Sequence, residues 1–117
     1  MYYVDGFVAA VPNKNKDRYL KHATIAAEVF KDHGALQIVE TWGDDVPDGE
    51  VTSLPMAVKC QADETVVFSW VTWPSKQARQ AGWEKIMADP RMQGEENPMP
   101  FDGKRLIYGG FQAILEC

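Results

Sequence analysis

Residues 2–11 read YYVDGFVAAV and are followed by Pro12. β-branched and aromatic residues dominate the stretch and a proline ends it, which is typical of a strand followed by a turn. Side chains along a strand alternate between its two faces, so Asp5 shares a face with Tyr3, Phe7 and Ala9. We expect helices to pack on the opposite face, which is smaller and smoother: Val4, Gly6, Val8 and Ala10.

The residues after this strand predict an amphipathic helix that runs to about residue 33. Asn13 or Asn15 can cap its start, and Gly34 can supply the left-handed residue that stops it. Apolar residues recur at the helical spacing of three and four along one side: Tyr19, Ala23, Ala26 and Phe30. This periodicity indicates one buried face.

Three more segments have strand composition, namely residues 35–43, 65–73 and 105–115. A second helix, capped by Ser75 and ended at Asp89 by Pro90, is predicted between the last two. The long connection between the second and third strands contains a further candidate strand at residues 56–60. The order βαββαβ predicts a ferredoxin-like α+β fold, with a four-stranded antiparallel sheet and two helices on one face.

Two helices leave the other face of such a sheet uncovered. We expect aromatic residues there: Tyr3, Phe7, Trp42 or Trp70, and Tyr108. So many aromatic side chains would expose more contiguous apolar surface than a monomer usually carries. The sequence therefore predicts a homodimer in which two sheets stack into an α/β barrel.

The composition indicates one ordinary globular domain spanning residues 1–117, with 45% hydrophobic and 25% charged residues. A formal net charge of −5 argues against a nucleic-acid partner, because nucleic-acid binders usually display a basic patch. Cys60 and Cys117 have no CxxC spacing, so we interpret them as free thiols in the cytoplasm. No signal peptide or membrane-spanning run is predicted, so we expect no membrane association.

Four acids lie in the stretch ETWGDDVPDGEV, residues 40–51: Asp44, Asp45, Asp48 and Glu50. The EF-hand pattern fails, because position 3 counted from Asp44 is Val46 and position 12 is Pro55. We interpret the stretch as a turn-rich solvated loop. A cation site or a contact with a partner subunit is the alternative.

No metal or cofactor site is predicted. His22 and His33 lie eleven residues apart on the first helix, roughly 16 Å along its axis at 1.5 Å per residue, so they cannot share one ion. No HExxH motif or Cys/His cluster is present, and neither is a phosphate-binding glycine loop. We interpret both histidines as half-buried and hydrogen-bonded, with His22 as an alternative acid or base in a pocket.

Two carboxylates interrupt strands where apolar residues are expected. Asp5 would point into the dimer barrel and could act as a base, unless it forms a salt bridge with a cation: Arg91, Lys104 or Arg105. Glu40 is the second. The resulting catalytic candidates are Asp5, His22 and Tyr108, and the ligand-binding candidates are Tyr3, Phe7, Glu40, Trp42 and Trp70. Paired glycines at 109 and 110 suggest a bulge or a close approach of another backbone.

Several segments along the chain are similar to one family: YVDGFVAAVP, GALQIVETWGDDVPDGEVT, VVFSWVTWPSK, DPRM and MPFDGKRLIYGGF. On these the chain resembles the YbaA-like bacterial family of unknown function. The resemblance implies a dimeric α/β barrel, a superfamily that includes cofactor-free monooxygenases, haem enzymes, muconolactone isomerases and stress-induced binding proteins. It carries over no catalytic motif.

Three functions therefore remain open. We favour a homodimer that binds a small apolar or aromatic molecule. The alternatives are a cofactor-independent monooxygenase- or isomerase-like enzyme and a structural or protein-interaction dimer.

Overall fold

The computed structural model describes residues 1–94 and 97–117. Its strands are β1 (Tyr3–Pro12), β2 (Gln37–Trp42), β3 (Glu64–Trp73) and β4 (Ile107–Gln112), and its helices are α1 (Lys16–Asp32), α2 (Leu54–Ala57) and α3 (Lys76–Ala88). Short 3₁₀ turns cover Asn13–Asn15, Pro90–Met92 and Gly103–Arg105. The strands form one sheet in the order β2-β3-β1-β4. All neighbouring strands are antiparallel, so the chain has an α+β fold.

Local signals in the sequence fix the helix ends. Gly34 has a φ of +108° directly after α1, as its predicted role as a stop requires. Ser75 accepts a hydrogen bond from the backbone N–H of Ala78 at 3.1 Å and so caps α3. Asn15 lies at the start of α1 but makes no side-chain cap; its Nδ2 group donates to the carbonyl oxygen of Pro100 at 2.8 Å.

The helices α1 and α3 pack on the face of the sheet that carries Asp5, which is the opposite of the sequence prediction. The core on this side contains Val29 and Phe30 from α1, Val71 and Trp73 from β3, and Ile86 from α3. The small size of the Val4, Gly6, Val8 and Ala10 face was the wrong criterion for placing the helices. The buried apolar surface that packs against α1 and α3 comes from the larger side chains on the opposite face.

Gly82 brings α3 close to the sheet. A Cβ atom at this position would lie 2.5 Å from the Trp73 ring and 2.7 Å from the carbonyl oxygen of His33. Glycine therefore sets how closely α3 can pack against β3 and the end of α1.

The face of the sheet away from α1 and α3 is only partly covered. Val58, just after α2, packs over one end, where Val8, Ala10 and Val66 are buried. The segment predicted as a further strand at 56–60 thus forms the end of a short helix and a turn instead. Beyond it the surface is bare and apolar, and its exposed large residues are Phe68, Ile107 and Phe111.

The pairing of β1 with β4 runs without interruption from Tyr3–Gln112 to Val8–Ile107, so the predicted bulge at the paired glycines is wrong. Gly109, together with Gly6 on β1, leaves space for the ring of Phe111 instead. Phe111 lies over Gly6 and Gly109 on the open face, with ring atoms 3.6 and 3.5 Å from where their Cβ atoms would be.

In the two described ranges, no helix has the length and apolar character needed to cross a bilayer.

Candidate functional site

A cavity of about 370 Å³ lies between the sheet and the helices. Ligand pockets usually occupy roughly 300–1,000 Å³, so it has room for a small molecule. Its walls are mostly apolar and combine aromatic, aliphatic and thioether side chains, among them Phe7, Phe30, Ile38, Trp83, Ile86, Met92, Phe101 and Leu106. Two small residues of the α1 stripe, Ala23 and Ala26, also line the cavity.

Polar groups converge at one part of this apolar wall. The Tyr19 hydroxyl on α1 donates a hydrogen bond of 2.6 Å to Oε1 of Glu40 on β2. Ser69, which is paired with Glu40 across the β2–β3 ladder, brings a second hydroxyl to the same part of the lining. The antiparallel register places Ser69 and Glu40 side by side, and the predicted stripe of α1 places Tyr19 above them.

The surroundings disfavour charge on these groups. Burial raises the pKa of Glu40 above its ordinary value, and the hydrogen bonds from Tyr19 and Ser69 offset this only in part. Glu40 still has accessible surface, because the cavity is open on one side. Burial, reinforced by the nearby Glu40 charge, also raises the pKa of Tyr19, so its hydroxyl remains a donor.

Met99 and Phe101 line the cavity, and the segment that contains them is tied to α1. The Nδ2 group of Asn97 donates to the backbone carbonyl oxygen of His22 at 3.3 Å, so its Oδ1 faces the Nδ1 atom of His22 at 2.9 Å as an acceptor. Phe101 packs on Tyr19 with ring centroids 5.8 Å apart. Burial lowers the pKa of His22, so this ring stays neutral at neutral pH with its hydrogen on Nδ1.

Asp5 is surrounded by donors instead of facing a hollow. It is only 2% exposed and accepts hydrogen bonds from the indoles of Trp73 at 2.9 Å and Trp83 at 2.8 Å. Arg79 on α3 adds a bidentate pair, with Nη2 at 2.8 Å and Nε at 3.1 Å from Oδ1. This carboxylate holds α3 onto the sheet and has no capacity left for a ligand.

The chain matches the family "Protein of unknown function (DUF1428)" over residues 2–103. It is also 57% identical over 116 residues to the "Uncharacterized protein YbaA" of Escherichia coli strain K12, with 99% of both chains covered. The proteins of the same name from Escherichia coli O157:H7 and Shigella flexneri match with the same identity and coverage. The chain belongs to this YbaA-like family. The resemblance seen in the sequence is thus confirmed.

In this member of the family, the structure places half of the predicted site residues at the cavity. Phe7, His22 and Glu40 line it, and Trp70 borders both the cavity and the open face of the sheet. Tyr3, Asp5, Trp42 and Tyr108 lie outside its lining.

The four outlying candidates have other surroundings. The guanidinium of Arg79 lies 5.5 Å from the centre of the Tyr3 ring, and the ammonium of Lys16 lies 5.1 Å from that of Trp42. Tyr108 is 72% exposed and stacks on Phe7 at 6.3 Å between centroids.

The predicted cation partners of Asp5 were wrong. Arg105 pairs with Glu64 at 2.7 Å and with Asp102 at 3.0 Å, while Arg79 takes the place next to Asp5. No signal within the sequence distinguishes these arginines. The Arg79–Asp5 and Arg105–Glu64 pairs each join residues more than forty positions apart, and only the Arg105–Asp102 contact is local.

His33 is half-buried and hydrogen-bonded, as predicted. Its Nε2 atom lies 2.9 Å from Oδ2 of Asp89, and Arg91 pairs with Asp89 and Asp32, each at 2.8 Å. Hydrogen bonds from Arg91 and His33 hold the pKa of Asp89 well below its ordinary range. The network joins the ends of α1 and α3 and lies apart from the cavity lining.

The acidic loop is solvated, as the sequence predicts. Asp44, Asp45, Asp48 and Glu50 are all exposed. Gly49 has a φ of +68°, which fits the predicted Asp-Gly turn. Across residues 1–94 and 97–117, no group of three or more His, Cys, Asp or Glu side chains is arranged to hold a metal ion.

Sequence reasoning missed several residues of the site. Ser69, Phe101 and Leu106 carried no signal of their own, since each reaches the cavity only through tertiary packing. Tyr19 did carry one, because the helical stripe predicted that it faces the sheet.

Proposed function

We propose that this protein binds a small, largely apolar molecule in the cavity between α1, α3 and the sheet. The observation that carries the proposal is the combination of an apolar cavity of about 370 Å³ with converging polar groups on one wall. Packing defects in a core are usually smaller and wholly apolar, whereas ligand pockets combine apolar walls with a few placed polar groups.

Filling the cavity tests the proposal. Ala26 lines the cavity on α1, and Ala81 is an exposed residue of α3, so Ala26→Leu and Ala81→Leu form a matched pair. The purified protein is screened against small aromatic and alicyclic compounds for a rise in melting temperature, since a ligand that binds only the native state stabilises it. Compounds that stabilise the wild type and Ala81→Leu should lose their effect on Ala26→Leu. Equal stabilisation of all three proteins would place binding elsewhere.

We also propose that the chain forms one ferredoxin-like domain, residues 1–117, and works as a homodimer through the open face of its sheet. The bare part of that face is a shallow apolar groove lined by Val4, Gly6, Phe7, Val8, Phe68, Trp70, Ile107, Tyr108, Gly109 and Phe111. Phe111 is 62% and Phe68 45% exposed in the single chain, and an apolar surface of this kind usually has a partner. A second copy offers a matching surface by symmetry.

This proposed dimer face is the opposite of the face that the sequence predicted. Substitutions on the two faces of one strand therefore test which face forms the dimer. Phe111 lies on the open face, whereas Gln112, the next residue of the same strand, is exposed on the helix-side face and outside the groove lining. In sedimentation equilibrium, Phe111→Glu should shift the protein to single chains, while Gln112→Glu should leave the dimer intact. A wild-type protein that sediments as a monomer at micromolar concentration would remove the proposal.

A second candidate is a cofactor-independent enzyme of the isomerase or monooxygenase kind. Glu40 favours it, because a carboxyl group with a raised pKa in an apolar cavity is suited to accept a proton. Glu40→Gln should then abolish turnover even at a substrate concentration that saturates the variant. A structural or protein-interaction dimer, the third candidate, rests on the open face of the sheet alone.

We also propose that the protein acts in the cytoplasm, without a membrane, nucleic-acid, metal or cofactor partner. Its support is the net charge of −5 and the two thiols, Cys60 and Cys117, both of which are free. Fractionation of cells would test the cytoplasmic location, and co-purification analysis would test for the excluded partners.

A further inference from the structure

The polar part of the cavity is built as an acceptor. An ionised carboxylate offers about four lone-pair sites and no donor. In the described part of the chain, the Tyr19 hydroxyl donates a hydrogen bond to Glu40 at 2.6 Å, and the Ser69 hydroxyl is a neighbour of the carboxyl group. Acceptor capacity therefore remains on Glu40, and the side chain is accessible from the open cavity.

No basic side chain of the described lining balances the charge of Glu40. Among the described residues that line the cavity there is neither lysine nor arginine, and the salt bridges of residues 1–94 and 97–117 do not include Glu40. A carboxylate or phosphate ligand would meet the negative charge of Glu40 without a cation to offset it. The net charge of −5 adds to that repulsion.

The remaining walls favour a flat ring. Phe30 and Trp83 meet edge to face with ring centroids 5.2 Å apart. Phe101 packs against Tyr19, and all four side chains line the cavity. Aromatic side chains prefer such edge-to-face and offset contacts with another ring. An aromatic ligand could continue this arrangement.

We propose, on the basis of the small-molecule binding inferred above, that the cavity takes a small neutral aromatic molecule whose single hydroxyl group donates a hydrogen bond to Glu40. The structure supports the neutral donor over a cationic one. An ammonium group would lose its hydration among the aromatic and aliphatic side chains of the cavity, and a single carboxylate offsets that cost only in part. A hydroxyl can bond to Glu40 in either protonation state.

Four compounds with the same ring system separate these chemistries: 2-naphthol, 2-naphthoate, 2-naphthylmethylammonium and naphthalene. Their dissociation constants for the purified full-length protein are measured at pH 7 by equilibrium dialysis. We expect 2-naphthol to bind about tenfold or more tighter than naphthalene, since a hydrogen bond to a charged acceptor is among the stronger ones. It should also bind tighter than the ammonium compound, and 2-naphthoate should bind most weakly.

Two glutamine variants locate the effect. Glu40→Gln removes the negative charge and adds an amide donor, so the preference for 2-naphthol over 2-naphthoate should shrink by about tenfold. Glu84 is an exposed residue of α3, and Glu84→Gln should keep the wild-type preference. An unchanged preference in Glu40→Gln would overturn the assignment of Glu40 as the recognition group.

The outcomes also distinguish this inference from the binding function beneath it. If all four compounds bind equally, the cavity binds aromatic rings but does not recognise a hydroxyl, and only the ligand class is wrong. If the ammonium compound or 2-naphthoate binds tightest, an ionic ligand replaces the neutral one and the inference is likewise overturned. If none of them binds, both this inference and its basis in the cavity fail.

Discussion

Two carboxylates on the helix-facing side of the sheet have opposite surroundings. Asp5 on β1 is enclosed by Arg79 and two indole N–H groups and is almost inaccessible. Glu40 on β2 is accessible from the cavity and has hydroxyl groups beside it instead of a cation. Both interrupt a strand where the sequence would otherwise place an apolar residue.

The difference shows how to separate a structural carboxylate from a functional one. A charge in the interior is tolerated when donors compensate it fully, and then it serves the fold. A charge left only partly compensated next to a cavity retains both its perturbed pKa and its capacity for a ligand. On this criterion Asp5 belongs to the scaffold, and Glu40 belongs to the site.

Replacing Asp5 should have the largest effect on stability. Asp5→Asn keeps the shape of the side chain but removes the charge that pairs with Arg79. The new amide N–H groups would also face the N–H donors of Arg79, Trp73 and Trp83, with which they cannot form hydrogen bonds. Removing one partner of a buried ion pair costs about 3–5 kcal/mol, and Arg79 is partly exposed, so we expect about 3 kcal/mol. The free energy of unfolding in urea measures this.

The matched control is an aspartate without such partners. Asp45 is exposed in the acidic loop, and Asp45→Asn should change the free energy of unfolding by less than about 0.5 kcal/mol. If Asp5→Asn were as mild as this control, the enclosed carboxylate would not be what holds α3 in place.

A methyl group at Gly82 should disturb the same contact from the other side. In Gly82→Ala the new Cβ would overlap the Trp73 ring and the His33 carbonyl oxygen, so α3 must shift away from Asp5. Overpacking of this kind costs about 1–3 kcal/mol, even though alanine is the better helix former. Urea denaturation again measures the loss, and increased stability would mean that α3 has free space there.

Much of the fold could be predicted because its signals are local. The strand composition, the stripe on α1, the Ser75 cap and the Gly34 stop each depend on a few neighbouring residues. The two faces of β1 could not be assigned, because alternation separates the sets of side chains without saying which one meets the helices.

The site was predicted only in part for the same reason. Glu40 attracted attention as a carboxylate within a strand, and Tyr19 as part of a stripe, but the bond between them joins residues 21 positions apart. The partners of Asp5 lie 68 to 78 positions away. Such pairings depend on how the helices cross the sheet, which local patterns do not specify.

The pH dependence of stability should reveal the uncompensated carboxyl group. The pKa of Glu40 is raised in the folded chain, so its contribution is complete below the ordinary glutamate pKa of about 4.3 and is lost as pH rises through the higher folded value. Glu40→Gln should therefore become more stable relative to the wild type across that window. We expect a gain below about 1 kcal/mol, because Glu40 is open to water in the cavity.

Urea denaturation of both proteins at closely spaced pH values checks this. A stability difference between wild type and Glu40→Gln that stays constant, or that shrinks with rising pH, would show that the fold compensates Glu40 as fully as Asp5. The two carboxylates would then no longer differ in the way that assigns one of them to the site.

The smallest effect is expected for the hydroxyl next to Glu40. Tyr19→Phe removes the donor that favours the ionised carboxylate, so the pKa of Glu40 should rise further, while the free energy of unfolding changes by about 1 kcal/mol or less. A carbon-detected NMR titration of the Glu40 carboxyl group measures the pKa directly. Tyr2→Phe, at an exposed tyrosine, should leave the titration unchanged. If Tyr19→Phe also left it unchanged, Tyr19 would not be the donor, and the acceptor capacity assigned to the cavity would need another origin.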